Sequence, residues 1–348
     1  MSGADDALTL LRDSAGAVAP RGGDLRRIRA LRYHPPGFDR AMWQTICDLG
    51  WPGLRLAETD GGAGLDMRAY CALAEELGRG LVPEPLIACT TAASLLRGAA
   101  LSALLAGESI VIPAWQERAN TLAATGDTRF SNGRVQGRKL FVPLAAGADA
   151  FLVTTNNGCA LVRRDAPGLR LETVTTQDGG HFGTLLLDDA AGEPVDGDVA
   201  AALEEATLAT AAYLLGLMDG VFALTLDYLR TRQQFGAVIG SFQALQHRAA
   251  DLKLQIEMTR ASIASAAATL DGDAAMAVQH AAVSRAKARA SDAALVVTRQ
   301  AIQLHGGIGY TDEHDAGLYL RRAMVLANLH GSAAVHRARY AALAGEED

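Results

Sequence analysis

A segment of about ninety residues with the character of strands and turns lies between two long helical regions, and no other feature of the sequence constrains the fold more. Between residues 109 and 198, β-branched and aromatic residues form short runs that Asn, Asp and Gly separate, as at Ser131–Gly133 and Asn156–Gly158. Short apolar runs bounded by such residues are typical of strands joined by tight turns. The segment is therefore predicted to form a small β-barrel or sandwich.

The two flanking regions carry apolar residues at helical spacing. Phe38, Met42 and Ile46 mark one helix face near the N-terminus, and a period of 3.6 residues dominates the chain after residue 199. The first of the predicted C-terminal helices ends at Arg232. The next three cover Phe242–Leu270, Asp273–Leu304 and Leu318–Leu329. Helices of these lengths suit a bundle. The predicted fold class is therefore α+β and multidomain, with an N-terminal helical domain at residues 1–108, a central β domain at 109–198 and a C-terminal four-helix bundle at 199–348.

Charge and cysteine content exclude several classes of function. The 348 residues include 32 Lys and Arg against 39 Asp and Glu, a net charge of −7, whereas a nucleic-acid surface needs clustered positive charge. The four cysteines form no C-x-x-C pair, which disfavours zinc and thioredoxin chemistry and predicts reduced thiols. No apolar run combines membrane-span length with signal-peptide flanks. We therefore expect a cytoplasmic protein that uses no metal, membrane or nucleic acid.

Two kinds of local motif could bind phosphate groups. The glycine clusters Gly61–Gly64 and Gly306–Gly309 do not follow a strand in a βαβ unit, so they do not make a Rossmann fingerprint, and each alone is a turn signal. Arg232, at the end of a predicted helix, could hold a diphosphate through paired charged hydrogen bonds. The same arginine could equally be a solvated residue that complements the helix dipole. Composition alone favours the second interpretation.

The motifs taken together resemble those of the acyl-CoA dehydrogenase family. Arg232–Gly236 is similar to its R-x-x-F-G, Phe242–Gln243 to its F-Q, and Gln303–Tyr310 to its Q-x-x-G-G-x-G-Y. Further similarities, in order and at family spacing, are Leu49–Trp51, Asp60–Leu65, Glu75–Gly78, Gly137–Lys139 and Ala148–Asp149. The resemblance covers nearly the whole chain and implies the same order of α, β and α regions.

The resemblance implies a flavoenzyme. Family members bind FAD between the β domain and the C-terminal bundle, and the neighbouring subunit holds the adenine half of each FAD. A glutamate removes the α-proton of an acyl-CoA thioester while the β-hydrogen leaves as hydride, and an electron-transfer flavoprotein takes the electrons. The cofactor-binding residues that the resemblance implies are Arg232, Gln234, Phe235, Gln243, Gln303, Gly306, Gly307 and Ser332. His305 is expected to be structural and to pack near the adenine half.

The sequence departs from the family pattern where the chain's own flavin and substrate would lie. At the position of the catalytic glutamate, counted along Leu329–Ser332, stands His330. In some members the glutamate lies on the first C-terminal helix, where this chain has Ala206, with Glu205 one residue away. The candidate bases are therefore His330 and, second to it, Glu205. In the β domain no G-S-D follows the first strand, and Pro143 replaces a residue with a hydroxyl group and an amide donor.

These departures favour one half of a heteromeric enzyme. The residues that would serve a neighbour's FAD are present, and those that would serve the chain's own flavin are altered. The hypothesis is a non-catalytic subunit of an α2β2 acyl-CoA dehydrogenase, like the short two-gene members of bacterial sterol degradation. The alternatives are a homo-oligomeric acyl-CoA dehydrogenase active alone, a non-enzymatic stabilising subunit, and a flavin oxidase or monooxygenase on the same scaffold.

Overall fold

The computed structural model describes residues 3–19, 23–124 and 126–344, so the ends of the first and last predicted domains lie outside the described residues. The chain forms two compact units, and each is interrupted in sequence. The helical unit comprises Met1–Arg29, Met67–Val82 and Thr207–Asp348. The sheet unit comprises Ala30–Asp66 and Pro83–Ala206. The division into three sequence domains stays a prediction.

The helices follow the predicted pattern closely. Their bounds are α1 Gly3–Ser14, α2 Arg26–Leu31, α3 Arg40–Asp48, α4 Met67–Arg79, α5 Leu86–Leu95, α6 Gly98–Leu105, α7 Val199–Thr231, α8 Gln243–Leu270, α9 Met276–His305, α10 Gly307–Tyr310, α11 Ala316–Leu326 and α12 Ala333–Ala344. The two long predicted helices after residue 241 are confirmed as α8 and α9 within three residues at each end. Asp39 begins α3 by accepting a hydrogen bond from the backbone N–H of Ala41.

The sheet unit contains two four-stranded sheets, which confirms the predicted small β-structure. The strands are β1 Val111–Ala114, β2 Arg129–Ser131, β3 Arg134–Pro143, β4 Ala150–Thr155, β5 Gly158–Arg163, β6 Leu169–Thr175, β7 His181–Ala191 and β8 Glu193–Val195. One sheet has the order β1-β4-β5-β8 and the other the order β2-β3-β7-β6. Among the described strands, only β1 and β4 pair in parallel. β4 is buried along its whole length, since its sheet contributes both faces to the core.

A buried ion pair joins Lys139, in the middle of β3, to Glu117 in the loop after β1. Lys139 is fully buried, and its Nζ lies 2.6 Å from Glu117 Oε1 and 3.0 Å from Thr154 Oγ1. Burial would raise the pKa of Glu117, but its hydrogen bonds, first that from Lys139, bring the value down to about 2. The lysine of the G-x-K motif therefore stabilises the sheet unit through a satisfied charge pair.

The helix α7 forms the core of the bundle. By length and apolar composition it is the one described helix that could cross a membrane, but 72% of its most apolar window is buried inside the protein. Two glycines let α4 approach it: a Cβ at Gly78 would stand 2.0 Å from the carbonyl oxygen of Tyr213, and one at Gly216 would stand 1.7 Å from that of Glu75. The apolar character of α7 is thus explained by burial against neighbouring helices.

Candidate functional site

A tight hairpin follows α7 and presents an aromatic ring to solvent. The strands β9 (Gln233–Gln234) and β10 (Ala237–Val238) pair so that a two-residue loop, Phe235–Gly236, joins them. Both loop residues have positive φ, 53° and 76°, as a type I′ turn requires. The turn leaves Phe235 91% exposed, with its ring edge-to-face with Phe242 at 6.3 Å between centroids.

The end of α9 presents bare backbone in the same way. Gly306 ends the helix with φ 66°, and no atom lies within 4 Å of a Cβ built on Gly306 or Gly307. Tyr310, at the end of α10, is 80% exposed. A ligand could therefore approach the backbone of this segment without a steric barrier from the chain itself.

Contacts between rings connect these two segments. Tyr228 lies one turn before Arg232, whose backbone N–H donates to the Tyr228 carbonyl at 2.9 Å. The Tyr228 ring lies 4.6 Å from that of His305, and the His314 ring lies 4.3 Å from His305 and 6.4 Å from Tyr228. Burial lowers the pKa of both histidines, which favours their neutral forms. We call the two joined segments, residues 232–243 and 303–310, the motif surface.

The polar side chains of the motif surface point to an external partner. Arg232, Gln243 and Gln303 are exposed, and none makes a side-chain hydrogen bond or ion pair within the described part of the chain. The side chain of Gln234 bonds only to its neighbouring carbonyl, on Gln233. A free guanidinium, free amides and open glycine backbone are the groups that bind a dinucleotide. All of the predicted cofactor residues except Ser332 therefore lie on the motif surface.

Two further predicted site residues, His330 and Ser332, lie in a turn between α11 and α12. We call residues 327–332 the histidine turn. His330 is half-buried and has left-handed backbone, with φ 58°. Its Nδ1 lies 3.1 Å from Oγ1 of the buried Thr210 on α7, which orients the ring. Ser332 occupies the N-cap position of α12, where its Oγ accepts from the Val335 backbone N–H at 3.5 Å.

A second histidine supports the turn from within the core. His336 is fully buried, and its Nε2 donates to the His330 carbonyl at 2.9 Å. Because that bond places the hydrogen on Nε2, Nδ1 is free to accept from the Ser284 hydroxyl at 3.3 Å. Burial, with the charge of Lys287 added, lowers the pKa of His336 to about 3. The ring is therefore neutral at physiological pH.

Glu205, the second candidate base, is held by an arginine. Arg55 Nε lies 3.1 Å from Oε2 of Glu205, and Arg55 Nη2 lies 2.6 Å from Oε1. The remaining nitrogen donates to the Leu65 carbonyl at 2.8 Å. A bidentate pair of this kind fixes a carboxylate in one orientation. The role of Glu205 stays a prediction, and proton abstraction there would require this pair to break.

The strand expected beside the flavin has an irregular end. Register shifts separate Lys139 from Val142, and Phe141 between them has φ 56° and a ring edge-to-face with Phe182 at 6.3 Å. Pro143, the last residue of β3, has no N–H to donate. This strand end therefore offers an aromatic face, but no hydroxyl or amide donor at residue 143.

Sequence reasoning missed the residues that hold the site in place. Arg55, Thr210, Lys287 and His336 belong to no motif. One signal was available: Val283, Lys287, Ala290 and Ala294 share a helix face, so a lysine falls on an apolar stripe. A charged residue in such a position is buried only when polar groups surround it.

No group of three or more potential metal ligands occurs among the described residues.

Domain-family models match both ends of the chain. The model described as the N-terminal domain of acyl-CoA dehydrogenase matches residues 11–100, and that of the C-terminal domain matches residues 198–344. Among curated proteins, acyl-CoA dehydrogenase IpdE2 of Mycobacterium tuberculosis is 31% identical over 325 residues, which cover 93% of this chain and 91% of that protein. The similarity thus extends over both units.

Solved structures give the same result for the fold. The G363A variant of the steroid ACAD Tcur3481-Tcur3483 matches with a TM-score of 0.89 and 30% identity, over 99% of both chains. The ChsE4-ChsE5 complex from Mycobacterium tuberculosis matches with a TM-score of 0.86 and 26% identity, over 99% of this chain and 98% of that one. Both structures are named for two proteins.

Proposed function

The chain belongs to the acyl-CoA dehydrogenase family, and we propose that it is one subunit of a heteromeric, FAD-dependent acyl-CoA dehydrogenase in the cytoplasm. In this proposal the motif surface completes the FAD site of a homologous partner subunit in an α2β2 assembly. The substrate is an acyl-CoA thioester, with a steroid-like acyl group favoured by the two-protein steroid ACAD that the chain is similar to. An electron-transfer flavoprotein accepts the electrons.

One observation carries the proposal: Arg232, Gln243 and Gln303 are exposed, and their side chains have no partner among the described residues. Arg232 stands at the end of α7 beside an exposed Phe235, and Gln303 with its glycines stands at the end of α9. FAD, when bound, supplies the hydride acceptor of the reaction. Arg232 would bind its diphosphate by charge, and Gln243 and Gln303 would bind polar edges by their amides. The bare backbone at Gly306 and Gly307 leaves room for a flat ring.

The chain's own catalytic position supports a subunit that depends on its partner. Removing the α-proton of a thioester needs a base of matched pKa beside donors that stabilise the developing negative charge on the oxygen. This chain has His330 where the family has glutamate, and Glu205 is committed to Arg55. Pro143 removes an amide donor from the strand expected beside the flavin. The departures all concern the chain's own centre.

The first test compares the chain alone with the chain in its complex. The chain is purified from its native host with co-purifying proteins identified by mass spectrometry, and it is also expressed alone. We expect a colourless chain alone and a yellow complex with a homologous subunit. A lone chain that binds one FAD per subunit and oxidises an acyl-CoA contradicts the proposal. Consumption of O2 in place of reduction of an electron-transfer flavoprotein supports the oxidase or monooxygenase alternative.

A substitution localises the cofactor site. Arg232→Ala removes the unpartnered guanidinium. We expect the affinity of the complex for FAD to fall about tenfold or more, which is the effect of losing a charged hydrogen bond. Arg230→Ala is the matched control, because Arg230 is also exposed, lies two residues away and pairs with Asp227 at 3.2 Å. Equal FAD affinity in the two variants contradicts the assignment of Arg232.

A second candidate function, a chain with a catalytic base of its own, is favoured by the fixed position of His330. The Thr210 hydroxyl holds the ring, and imidazole titrates near neutral pH. In that case His330→Ala abolishes reduction of the flavin by substrate and leaves FAD bound. Reduction at the wild-type rate excludes His330 as the base and leaves the non-catalytic subunit as the function.

A further inference from the structure

We propose that Lys287, a buried residue of α9, is a positioning residue that fixes the backbone of the histidine turn. The inference rests on the proposed function, because that function is what places the turn, with His330 and Ser332, beside a cofactor. Lys287 touches neither ring nor hydroxyl of these two residues. It acts on the peptide groups that hold them.

The ammonium group of Lys287 joins the two ends of the turn. Its Nζ lies 3.3 Å from the carbonyl oxygen of Leu326 and 3.1 Å from that of Ala327, where α11 ends. It also lies 3.1 Å from the carbonyl oxygen of Gly331, at the other end of the turn. The last carbonyls of a helix have no donor within the helix, so an ammonium group satisfies them from outside. The ammonium group of Lys287 therefore holds the two ends of the histidine turn together.

A neighbouring serine completes the site around the ammonium. Ser291 Oγ lies 2.9 Å from Lys287 Nζ and donates to the Ala327 carbonyl at 3.1 Å. Lys287 is fully buried and forms no ion pair with any carboxylate of the described residues. Burial lowers its pKa to about 7. A lysine is expensive in such a place unless oxygen atoms surround it, and here four do.

The backbone of the turn explains why it needs this support. His330 and Gly331 both have positive φ, 58° and 103°. Glycine adopts such a backbone readily, but a residue with a Cβ such as His330 is strained there unless outside contacts hold it. His336 binds the carbonyl of His330 itself, and Lys287 binds that of the following residue, Gly331. The contacts therefore act at the strained residue and next to it.

Three polar residues of α9 face the turn and its support. Ser284, Lys287 and Ser291 follow each other at spacings of three and four residues, which places them on the same side of the helix. Ser284 contacts His336, and the other two contact the turn directly. These three residues therefore supply polar groups to the turn and to the histidine that supports it.

The first experiment measures hydrogen exchange in the chain, with Lys287→Met compared with wild type. Met has similar length and no donor, so the carbonyls of Leu326 and Gly331 lose the ammonium group and that of Ala327 keeps only its bond from Ser291. We expect amide exchange in residues 327–332 to rise about tenfold, while exchange in α7 and α8 stays unchanged. Lys139→Met is the matched control, because Lys139 is equally buried but lies in the sheet unit. Exchange in the turn that rises equally in both variants, or in neither, overturns the proposal.

Milder variants cover the case in which Lys287→Met does not fold. Lys287→Gln keeps two donors, and we expect an intermediate rise in exchange, which marks rescue by a conservative change. Ser291→Ala removes only the hydroxyl, and we expect a smaller rise that is confined to residues near Ala327. An unchanged turn in both of these variants overturns the proposal as well.

The second experiment links the turn to the cofactor. FAD is titrated into the complex that contains Lys287→Met, and the visible absorption spectrum of the bound flavin is recorded. We expect the variant complex to bind FAD and the absorption spectrum of the bound flavin to be shifted. A general loss of stability does not produce such a shift. A wild-type complex that binds no FAD refutes the proposed function, and the exchange experiment still decides the role of Lys287. A wild-type spectrum in the variant shows that Lys287 does not position the turn against the flavin.

Discussion

The motif surface and the histidine turn belong to one helical unit, but their side chains are used in opposite ways. On the motif surface, Arg232 and Gln303 are exposed and have no partner in the described chain. In the histidine turn, the carbonyls of His330 and Gly331 each have a buried donor, from His336 and Lys287 respectively. In our proposal the first region binds a partner from outside. The second is a rigid part of the fold, and this difference predicts how each region responds to substitution.

The largest loss of stability is expected from the interior of the turn. His336→Leu leaves the His330 carbonyl without its donor in a buried site, and we expect the free energy of unfolding to fall by about 2–3 kcal/mol. Urea denaturation at pH 7.5 measures the change. His247→Leu, at an exposed position of α8, is the control and should change stability by less than about 0.5 kcal/mol. Equal losses would remove the distinction between the two regions.

The same histidine predicts a dependence of stability on pH. The pKa of His336 is about 3 in the folded protein and about 6.5 in the unfolded chain, so between these values only the unfolded chain binds the proton. Stability from this group is fully present above pH 6.5 and is lost as the pH falls toward 3. The slope is up to about 1.4 kcal/mol per pH unit. Denaturation of His336→Leu at pH 7.5 and pH 5 should show a smaller difference than wild type.

Gly307→Ala tests whether the motif surface is open for a ligand. The position has no positive φ, and no atom lies within 4 Å of the added Cβ. We therefore expect the stability of the chain to change by less than about 0.5 kcal/mol. The methyl group should nevertheless lower the affinity of the complex for FAD, measured by flavin fluorescence. A variant with wild-type affinity shows that the bare backbone at residue 307 does not face the cofactor.

The smallest change in stability is expected at the tip of the hairpin. Phe235→Ser removes a ring that is almost fully exposed, so we expect the melting temperature of the chain alone to stay within about 1 °C of wild type. Binding of the partner subunit, measured by analytical ultracentrifugation, should weaken. Val174→Ser is the control, since Val174 is also exposed but lies on β6 of the other unit. Weakening by both variants would indicate a nonspecific apolar effect.

Local patterns predicted most of the fold. Apolar periodicity placed α8 and α9 within three residues, and the Asn and Gly turns marked the strands of the sheet unit. The motif residues identified the family, which the matching domain models confirm. Helix ends and hairpins are decided by neighbours in sequence, so a single chain reveals them.

The supports of the site could not be predicted in the same way. Lys287 meets a turn about forty residues further along the chain, and Arg55 meets a carboxylate 150 residues away. Nothing in the sequence near either residue records its partner. The pairing of Arg55 with Glu205 also bears on that candidate base, since proton abstraction there would require the bidentate pair to break.

The sequence by itself determined the order of helical and strand regions and the family, and it predicted the residues that would bind FAD, because these depend on residue types at short spacing. Only the tertiary structure decided which of the candidate groups are free and which are held. A guanidinium, carboxylate or imidazole has no fixed role until its hydrogen-bond partners and burial are set, and distant parts of the chain set both.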